Sequence, residues 1–185
     1  FKVVKAEWAN HSQEDIGAFL KDCGMIITEH CGGASGPIWG SGFRAMGRYA
    51  QGKDTLTLAE TGEMVQAAID AAEALNPALN AIIHPRYERA LEEAAAVDPA
   101  LPFAGVPLVV KDLDGTLAGE PYHAGTRHLK EHGYIADVTS WSFERLQAAG
   151  FVIIGKTNTP EFGLVPTTEP IAYGPSSNPW NPAHS

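Results

Sequence analysis

A lysine at the end of a predicted buried strand is the residue of this sequence with the clearest chemical potential. Lys111 follows the apolar run 106–110 and precedes Asp112. Such a run is typical of a strand buried on both faces. A lysine in apolar surroundings, where the ammonium form is destabilised, can lose its proton and act as a base. Taken alone, the residue type favours a simpler interpretation, a strand-end lysine whose ammonium reaches solvent.

A glycine cluster at 31–37 points to a different chemistry. Its sequence, Cys-Gly-Gly-Ala-Ser-Gly-Pro, is not that of an ordinary helix, and a helix is predicted to begin near Pro37. Free backbone N–H groups ahead of a helix can bind phosphate, and Ser35 would add a hydroxyl donor. The alternative is a tight turn between two helices, which the spacing alone favours.

Residues 150–157 match the sequence pattern of a P-loop, but the predicted secondary structure around them is not that of a P-loop. In a P-loop the four positions between the glycines form a loop between a strand and a helix. Here those positions form an apolar run that predicts a strand, and Pro160 opposes a helix directly after it. We therefore interpret the segment as a buried strand with a polar exit.

Two groups of metal-ligating residues lack the paired spacing of a structural zinc site. They are His123, His128 and His132, and Cys23, His30 and Cys31. The sequence predicts no metal and no cofactor, and the histidines are interpreted as surface or packed residues.

The elements that position these residues follow from hydrophobic periodicity and helix signals. Helices are predicted after an N-cap at Ser12, from about Pro37, from Leu58 to Leu75 with a stop at Asn76-Pro77, around 87–97, and over 141–149; strands are predicted at 106–110 and 151–154. The three tryptophans Trp39, Trp141 and Trp180 are expected in the core. The order strand, helix, strand predicts an α/β unit after the helical first part.

The C-terminal two thirds resemble the amidase signature family. The matching segments, in the family's order and spacing, are 73–81, 105–113, 118–121, 150–163 and 178–182. The resemblance covers about residues 70–185 and implies a mixed sheet flanked by helices that acts on a small-molecule amide. It also implies a Ser–cis-Ser–Lys triad, in which neutral lysine draws a proton from the nucleophilic serine through the cis-serine while backbone N–H groups stabilise the oxyanion. Lys111 matches the catalytic lysine.

Both catalytic serines of that family lie in a Gly-Gly-Ser-Ser-Gly-Gly signature, which is expected just beyond Ser185. Ser185 itself matches a position ahead of the signature and is given no nucleophilic role. The isolated chain is therefore expected to have no amidase activity. The first residues, 1–5, contain no Met and no signal peptide, and suggest a chain entered partway through.

The first third resembles the nucleotide-binding L subunit of dihydroxyacetone kinase, an all-helical barrel. The matching segments are 15–21, 24–25, 32–37, Gly40, 43–45 and 56–58. The resemblance covers about residues 1–65 and places Ala34 and Ser35 at positions that contact ADP phosphates. The Asp-rich loop that holds magnesium in that family would lie upstream of Phe1, so at best weak ADP binding is expected.

Composition excludes several classes of protein. The chain has 185 residues, 44% of them hydrophobic, which is enough for a packed core. Thirteen basic against 22 acidic residues give a net charge of −9, which argues against nucleic acid or an anionic membrane as partner. No apolar run approaches the roughly 20 residues that span a bilayer. Two cysteines are too few for a disulfide framework and favour a cytoplasmic setting.

Together these patterns predict a composite α/β protein. Residues 1–65 would form the helical segment and 66–185 the N-terminal part of an amidase-type region with a partial mixed sheet. The seam is expected between Leu58 and Leu75, within one helix. Three hypotheses remain: an amidase-type hydrolase, an ADP-binding or phosphotransfer module, and a non-catalytic fragment or chimera prone to self-association.

Overall fold

The computed structural model describes residues 3, 6, 8–12, 14–30 and 35–185, and gives the backbone alone for residues 8 and 35–39. The helices are α1 (Ile16–His30), α2 (Ser35–Tyr49), α3 (Leu58–Leu79), α4 (Tyr87–Ala96), α5 (Arg127–Glu131) and α6 (Trp141–Ala148). The strands are β1 (Ile82–Pro85), β2 (Pro107–Lys111) and β3 (Val152–Thr157), and 3₁₀ turns lie at Trp8–Asn10 and Glu161–Gly163. Within these described residues no helix combines the length and apolar character needed to cross a membrane. The predicted fold class, a helical segment followed by a partial α/β region, is confirmed.

Helices α1 and α2 form an antiparallel pair whose backbones touch at glycines. A Cβ atom on Gly24 would lie 2.8 Å from the carbonyl oxygen of Gly40, and one on Gly47 would lie 2.7 Å from that of Gly17. Since no real side chain tolerates such distances, glycine at these positions lets the two helices approach closely.

The starts of these two helices differ from the prediction. Asp15 rather than Ser12 caps α1, because its Oδ1 accepts the N–H of Ala18 at 2.7 Å. Helix α2 already begins at Ser35, so the last part of the glycine cluster is helical and Pro37 lies in the first turn, where a missing N–H costs nothing. Residues 31–34 lie outside the described part.

Helix α3 joins the helical pair to the sheet. It begins with a capping box in which Thr57 accepts the N–H of Glu60 and Glu60 accepts that of Thr57. One side of the helix, with Met64 and Ala68, packs against residues of α1 and α2. Another side, which includes Val65, packs against the sheet.

The prediction that Asn76-Pro77 ends this helix is wrong, since α3 continues to Leu79. Pro77 lies in the last turn, where it removes only one backbone hydrogen bond. The Oδ1 atom of Asn76 accepts the N–H groups of Ala81 and Ile82 at 2.9 and 2.7 Å and thereby stabilises the chain reversal. The helix then ends at Asn80, which adopts the left-handed conformation with φ 47°.

The three-stranded sheet has the order β1-β3-β2, with β1 antiparallel and β2 parallel to β3. A run that is apolar throughout, such as 106–110, is typical of a central strand, but β3 occupies the centre of the described sheet and β2 lies at an edge of it. Strand β1 was not predicted at all, because its four residues are too few for a periodicity and it ends at Pro85.

The core lies on both faces of this sheet. Val109, Val152 and Ile154 pack with α3 and α4, whereas Val110 and Ile153 pack with Phe143 of α6 and Leu117. The expectation of core tryptophans is wrong for Trp141 and Trp180, which are 70% and 66% exposed. Trp141 is the first residue of α6, at the solvent-facing start of a helix whose buried side is Phe143. The side chain of Trp39 lies outside the described part.

Candidate active site

An irregularity in β3 decides which side chains meet at the carboxyl end of β2. The register pairs Val109 with Gly155 and Val110 with Lys156, with a shift between Leu108 and Val109. Paired residues of neighbouring strands share a face of the sheet, so Lys156 lies on the face of Val110. A regular strand would instead have placed Lys156 on the face of Ile154, by its period of two.

Asp112 and Lys156 form a buried ion pair on that face. Their side chains have no exposed surface, and Nζ of Lys156 lies 2.6 Å from Oδ1 of Asp112. The ammonium donates its hydrogen bond to the carbonyl oxygen of Pro121 at 2.5 Å. The backbone N–H of Asp112 donates to the carbonyl of Thr157 at 3.1 Å, which continues the β2–β3 ladder by one residue.

The other oxygen of the Asp112 carboxylate is also held. Oδ2 accepts the backbone N–H of His123 at 3.0 Å and lies 3.5 Å from Nε2 of His84. Burial alone would raise the pKa of Asp112, but the hydrogen bond from His84 and the charge of Lys156 outweigh it and leave this pKa below its ordinary value. Asp112 is therefore a carboxylate at neutral pH, with its charge satisfied by Lys156.

Two histidines and a tyrosine close this cluster. The Tyr173 hydroxyl contacts Nδ1 of His123 and lies 3.3 Å from Nε2 of His84. Burial, with Asp112 nearby, raises the pKa of Tyr173 to about 12, so the phenol keeps its proton at neutral pH. Burial and the neighbouring His84 lower the pKa of His123, whose Nε2 atom has no hydrogen-bond partner in the described part of the chain.

Two asparagines hold the loop that carries Tyr173. Nδ2 of Asn80 donates to the carbonyl of Tyr173 at 2.8 Å, and Nδ2 of Asn158 donates to Oγ of Ser176 at 3.1 Å. The Ser176 hydroxyl in turn donates to the carbonyl of Asn80 at 2.8 Å. The end of α3, the end of β3 and this loop are thus joined by side chains from all three.

Lys111 lies beside this cluster and is not part of it. It ends β2, pairs in register with Thr157 and is partly exposed. Its ammonium makes no hydrogen bond, ion pair or ring contact with any residue that the structure describes. The other lysines of the described chain each have a partner: Lys21 binds Gln51, Lys53 binds Glu60, Lys130 binds the carbonyl of Ala172, and Lys156 binds Asp112.

The other two predicted site residues are not described with their side chains. Ala34 lies outside the described residues, and of Ser35 only the backbone is described, as the first residue of α2. The interpretation of 150–157 as strand is confirmed, because β3 covers Val152–Thr157 and no helix follows it directly.

The metal-ligating residues are spread over the fold. His128 and His132 lie against each other with ring centroids 4.2 Å apart, while His123 belongs to the Asp112 cluster. Cys23 is a buried thiol, and Cys31 lies outside the described part. Among the described residues, no three His, Cys, Asp or Glu side chains lie together in a way that could hold a metal ion.

Sequence reasoning missed the partners of Asp112. His84 lies on the unpredicted strand β1, and Tyr173 lies in a loop 89 residues further along the chain. The only signal for Lys156 was a lysine directly after an apolar run, which was interpreted as the polar exit of a strand.

A mixed sheet flanked by helices, with a lysine at the end of one strand, is the arrangement that the amidase resemblance implies. Residues 63–185 match the family model Amidase, and the chain belongs to this family. Residues 1–81 match the model of the DAK2 domain. Residues 63–81 are common to both matches and fall mostly in α3.

The similar proteins include a cyclic-dimer hydrolase and a lipoamidase. The chain is 44% identical over 119 residues to the 6-aminohexanoate-cyclic-dimer hydrolase of Paenarthrobacter ureafaciens, covering 64% of this chain and 24% of that protein. It is 45% identical over 123 residues to the lipoamidase of Enterococcus faecalis, covering 66% and 17%. A solved structure of 6-aminohexanoate cyclic dimer hydrolase superposes with a TM-score of 0.61 at 42% identity, covering 68% of this chain and 25% of that chain. The match thus spans about a quarter or less of each relative's length.

Proposed function

We propose that this chain supplies the general base of an amide hydrolase and that Lys111 is that base. The observation that carries the proposal is the ammonium of Lys111 at the carboxyl end of β2, which has no partner among the residues that the structure describes. A base must lose its proton easily, and a nearby anion would oppose that loss. Asp112, the adjacent carboxylate, is bound to Lys156 instead.

The chemistry follows the triad that the family resemblance implies. Neutral Lys111 accepts a proton relayed from a serine hydroxyl, and the serine oxygen attacks the amide carbonyl carbon. The C–N bond breaks as the nitrogen takes up a proton, and water then releases the acyl group. The serines would come from the Gly/Ser signature expected after Ser185. The substrate class is a small-molecule amide.

The domain division is part of the proposal. We assign residues 1–65 to a helical segment of the dihydroxyacetone kinase type and 66–185 to the amidase part, with the seam inside α3. Support comes from the overlap of the two family matches at 63–81 and from the two sides of α3, one packed on the helical pair and one on the sheet. A reduced, cytoplasmic setting remains a prediction from the two cysteines.

A graft tests the proposed function. Residues 63–185 would replace the matching segment of the Paenarthrobacter hydrolase, which supplies the remainder of an amidase chain. We expect the grafted protein to hydrolyse the 6-aminohexanoate cyclic dimer, since the segments are 44% identical. A graft that folds, as judged by circular dichroism, and binds the dimer without turnover would contradict the proposal.

The isolated 185-residue chain is expected to show no amidase activity. A lysine base without a nucleophile contributes only the weak assistance of general-base catalysis. The measurement is release of aniline from a simple aryl amide. Turnover that Lys111→Ala abolishes would show this prediction to be wrong.

The DAK2 match supports a second candidate, an ADP-binding module at Gly32–Pro37, for which we expect at best weak affinity. The glycine-rich sequence at 31–37 is of the type whose backbone N–H groups bind phosphate, but the Asp-rich loop that holds Mg²⁺ in the kinase family is not among these 185 residues. Calorimetric titration with ADP and Mg²⁺ is the check, and micromolar, Mg²⁺-dependent affinity would contradict the expectation.

Self-association also remains a proposal, supported by apolar side chains on the surface. Phe162, Leu164, Val165 and Ile171 are all more than half exposed, and Leu164 reaches 80%. Exposed apolar side chains that lie close together in the chain are typical of contact surfaces.

A further inference from the structure

We infer that Lys156 is a positioning residue for Lys111: it binds the Asp112 carboxylate as a dedicated counter-ion and so leaves the Lys111 amine without a partner in the described part of the chain. The inference rests on the proposed function, in which Lys111 is the base. Lys156 itself touches no reacting atom.

Geometry is the first argument. Lys111 and Asp112 are neighbours in the chain, and the β2–β3 ladder continues through the N–H of Asp112. Successive side chains of an extended strand point to opposite faces. The register shift places Lys156 opposite Val110, which is the face that Asp112 shares. The carboxylate is thus held on one face by an ammonium 2.6 Å away, and Lys111 is left on the other.

The cost of this arrangement is the second argument. Two fully buried charges lose their hydration, and packed apolar residues of similar size often stabilise a fold as well or better. A buried ion pair is therefore weak support for a purely structural role. Its position, one residue from the proposed base, suggests an electrostatic one.

The other titratable groups at this end of the sheet do not replace Lys156. Within its own segment Lys111 has Asp112 and Asp114 as neighbours. Strand β1 contributes His84, the loop after Ala118 contributes Tyr122 and His123, and the loop after Pro170 contributes Tyr173. Ordinary histidine and tyrosine side chains are uncharged at pH 8.5. Lys130 of α5 also lies nearby, with its Nζ 4.0 Å from the centre of the Tyr173 ring, but among the described residues Lys156 is the only lysine or arginine paired with Asp112.

Competitive acetylation of the whole 185-residue chain tests the inference. Trace acetic anhydride reacts only with the neutral amine, and peptide mass mapping reports the rate at each lysine between pH 7 and pH 10.5. The variants are Lys156→Met, Asp112→Asn and the double variant. Lys53→Met is the matched control, because it breaks the Lys53–Glu60 pair of the helical segment by the same change.

The two single variants should change the rate at Lys111 in opposite directions. In Lys156→Met the Asp112 carboxylate is unpaired and stabilises the ammonium form of Lys111. Lys111 should therefore react about 3- to 10-fold more slowly at pH 8.5. This factor is that of a unit charge beyond contact distance at an effective dielectric constant near 20 or above. In Asp112→Asn the unpaired Lys156 should speed the reaction by a similar factor. The double variant should return the rate and pH profile to the original, and Lys53→Met should not change them.

The outcomes separate the two claims. Unchanged rates at Lys111, or a change of the same sign in both single variants, would overturn the inference, since a merely structural pair produces no opposite signs and no rescue. If Lys156→Met does not fold, the inference is tested by the other two variants. Lys111 should then react faster in Asp112→Asn, and this acceleration should be lost in the double variant. A Lys111 that stays unreacted in the original chain up to pH 10.5 would contradict the proposed function instead.

Discussion

Replacing Lys111 by alanine in the grafted hydrolase is expected to lower kcat/KM for the cyclic amide by about 10²- to 10⁴-fold, the usual contribution of a general base. The loss should fall on kcat, because the proton moves in the transition state whereas the ground-state contacts with the amide are unchanged. Steady-state kinetics at several pH values is the measurement.

Two further variants sharpen this result. In Lys111→Arg the side chain is similar in length and keeps a positive charge, but it cannot lose its proton at neutral pH. This variant should therefore be as inactive as the alanine variant. Arg127→Met removes an exposed cation of the amidase part, paired with Glu131, and should keep most of the activity. A Lys111→Arg graft with near-normal kcat would show that the residue acts through its charge rather than as a base.

Asp112→Ala is expected to destabilise the fold by about 3–5 kcal/mol, because it leaves the fully buried ammonium of Lys156 without its counter-ion. The carbonyl of Pro121 and the ring of Tyr122, whose centre lies 5.2 Å away, would be the remaining partners of this ammonium among the described residues. Urea denaturation followed by circular dichroism gives the free energy of unfolding.

The matched control is Glu131→Ala, which breaks the exposed pair with Arg127, whose side chains are 65% and 63% accessible. That pair lies in solvent, and its loss should change the urea midpoint of unfolding by less than the experimental error. An Asp112→Ala variant as stable as the control would mean that Lys156 reaches solvent or loses its charge at little cost.

The cluster around Asp112 should make the free energy of unfolding decrease as pH falls. The pKa of Asp112 is lowered in the fold, so its stabilisation is complete above its ordinary value of 3.8 and is lost as pH falls through the folded value. The pKa of His123 is also lowered, from 6.5, so the unfolded chain takes up the proton first and stability begins to decline below that pH. In Asp112→Ala the decline near pH 4 and below should be reduced, and the decline that starts near 6.5 should remain.

Local sequence was sufficient for the elements that depend on local forces. The α3 and α6 starts, the run that becomes β2 and the place of Lys111 at its end all follow from apolar spacing and end signals, which act over a few residues. The family resemblance added a role for Lys111. It offered none for the side chains around it.

Only the tertiary structure decided where the partners of Asp112 lie. The apolar run before Lys156 predicts a strand correctly, but the face of this lysine depends on the shifted register with β2, a property of two strands and not of one. His84 and Tyr173 reach the cluster from a four-residue strand and an irregular loop, neither of which has a periodicity to detect.

The errors in the prediction have the same origin. Pro77 continues a helix because Asn76 binds backbone groups beyond the helix end, and Trp141 is exposed because α6 turns Phe143 to the core. Propensity describes what a residue favours in isolation, and packing or a side-chain hydrogen bond of about 1 kcal/mol can reverse it. The sequence by itself therefore determined most of the helices and strands and the place of Lys111 at the end of β2. The charged side chains beside Lys111 were decided by long-range pairing between strands.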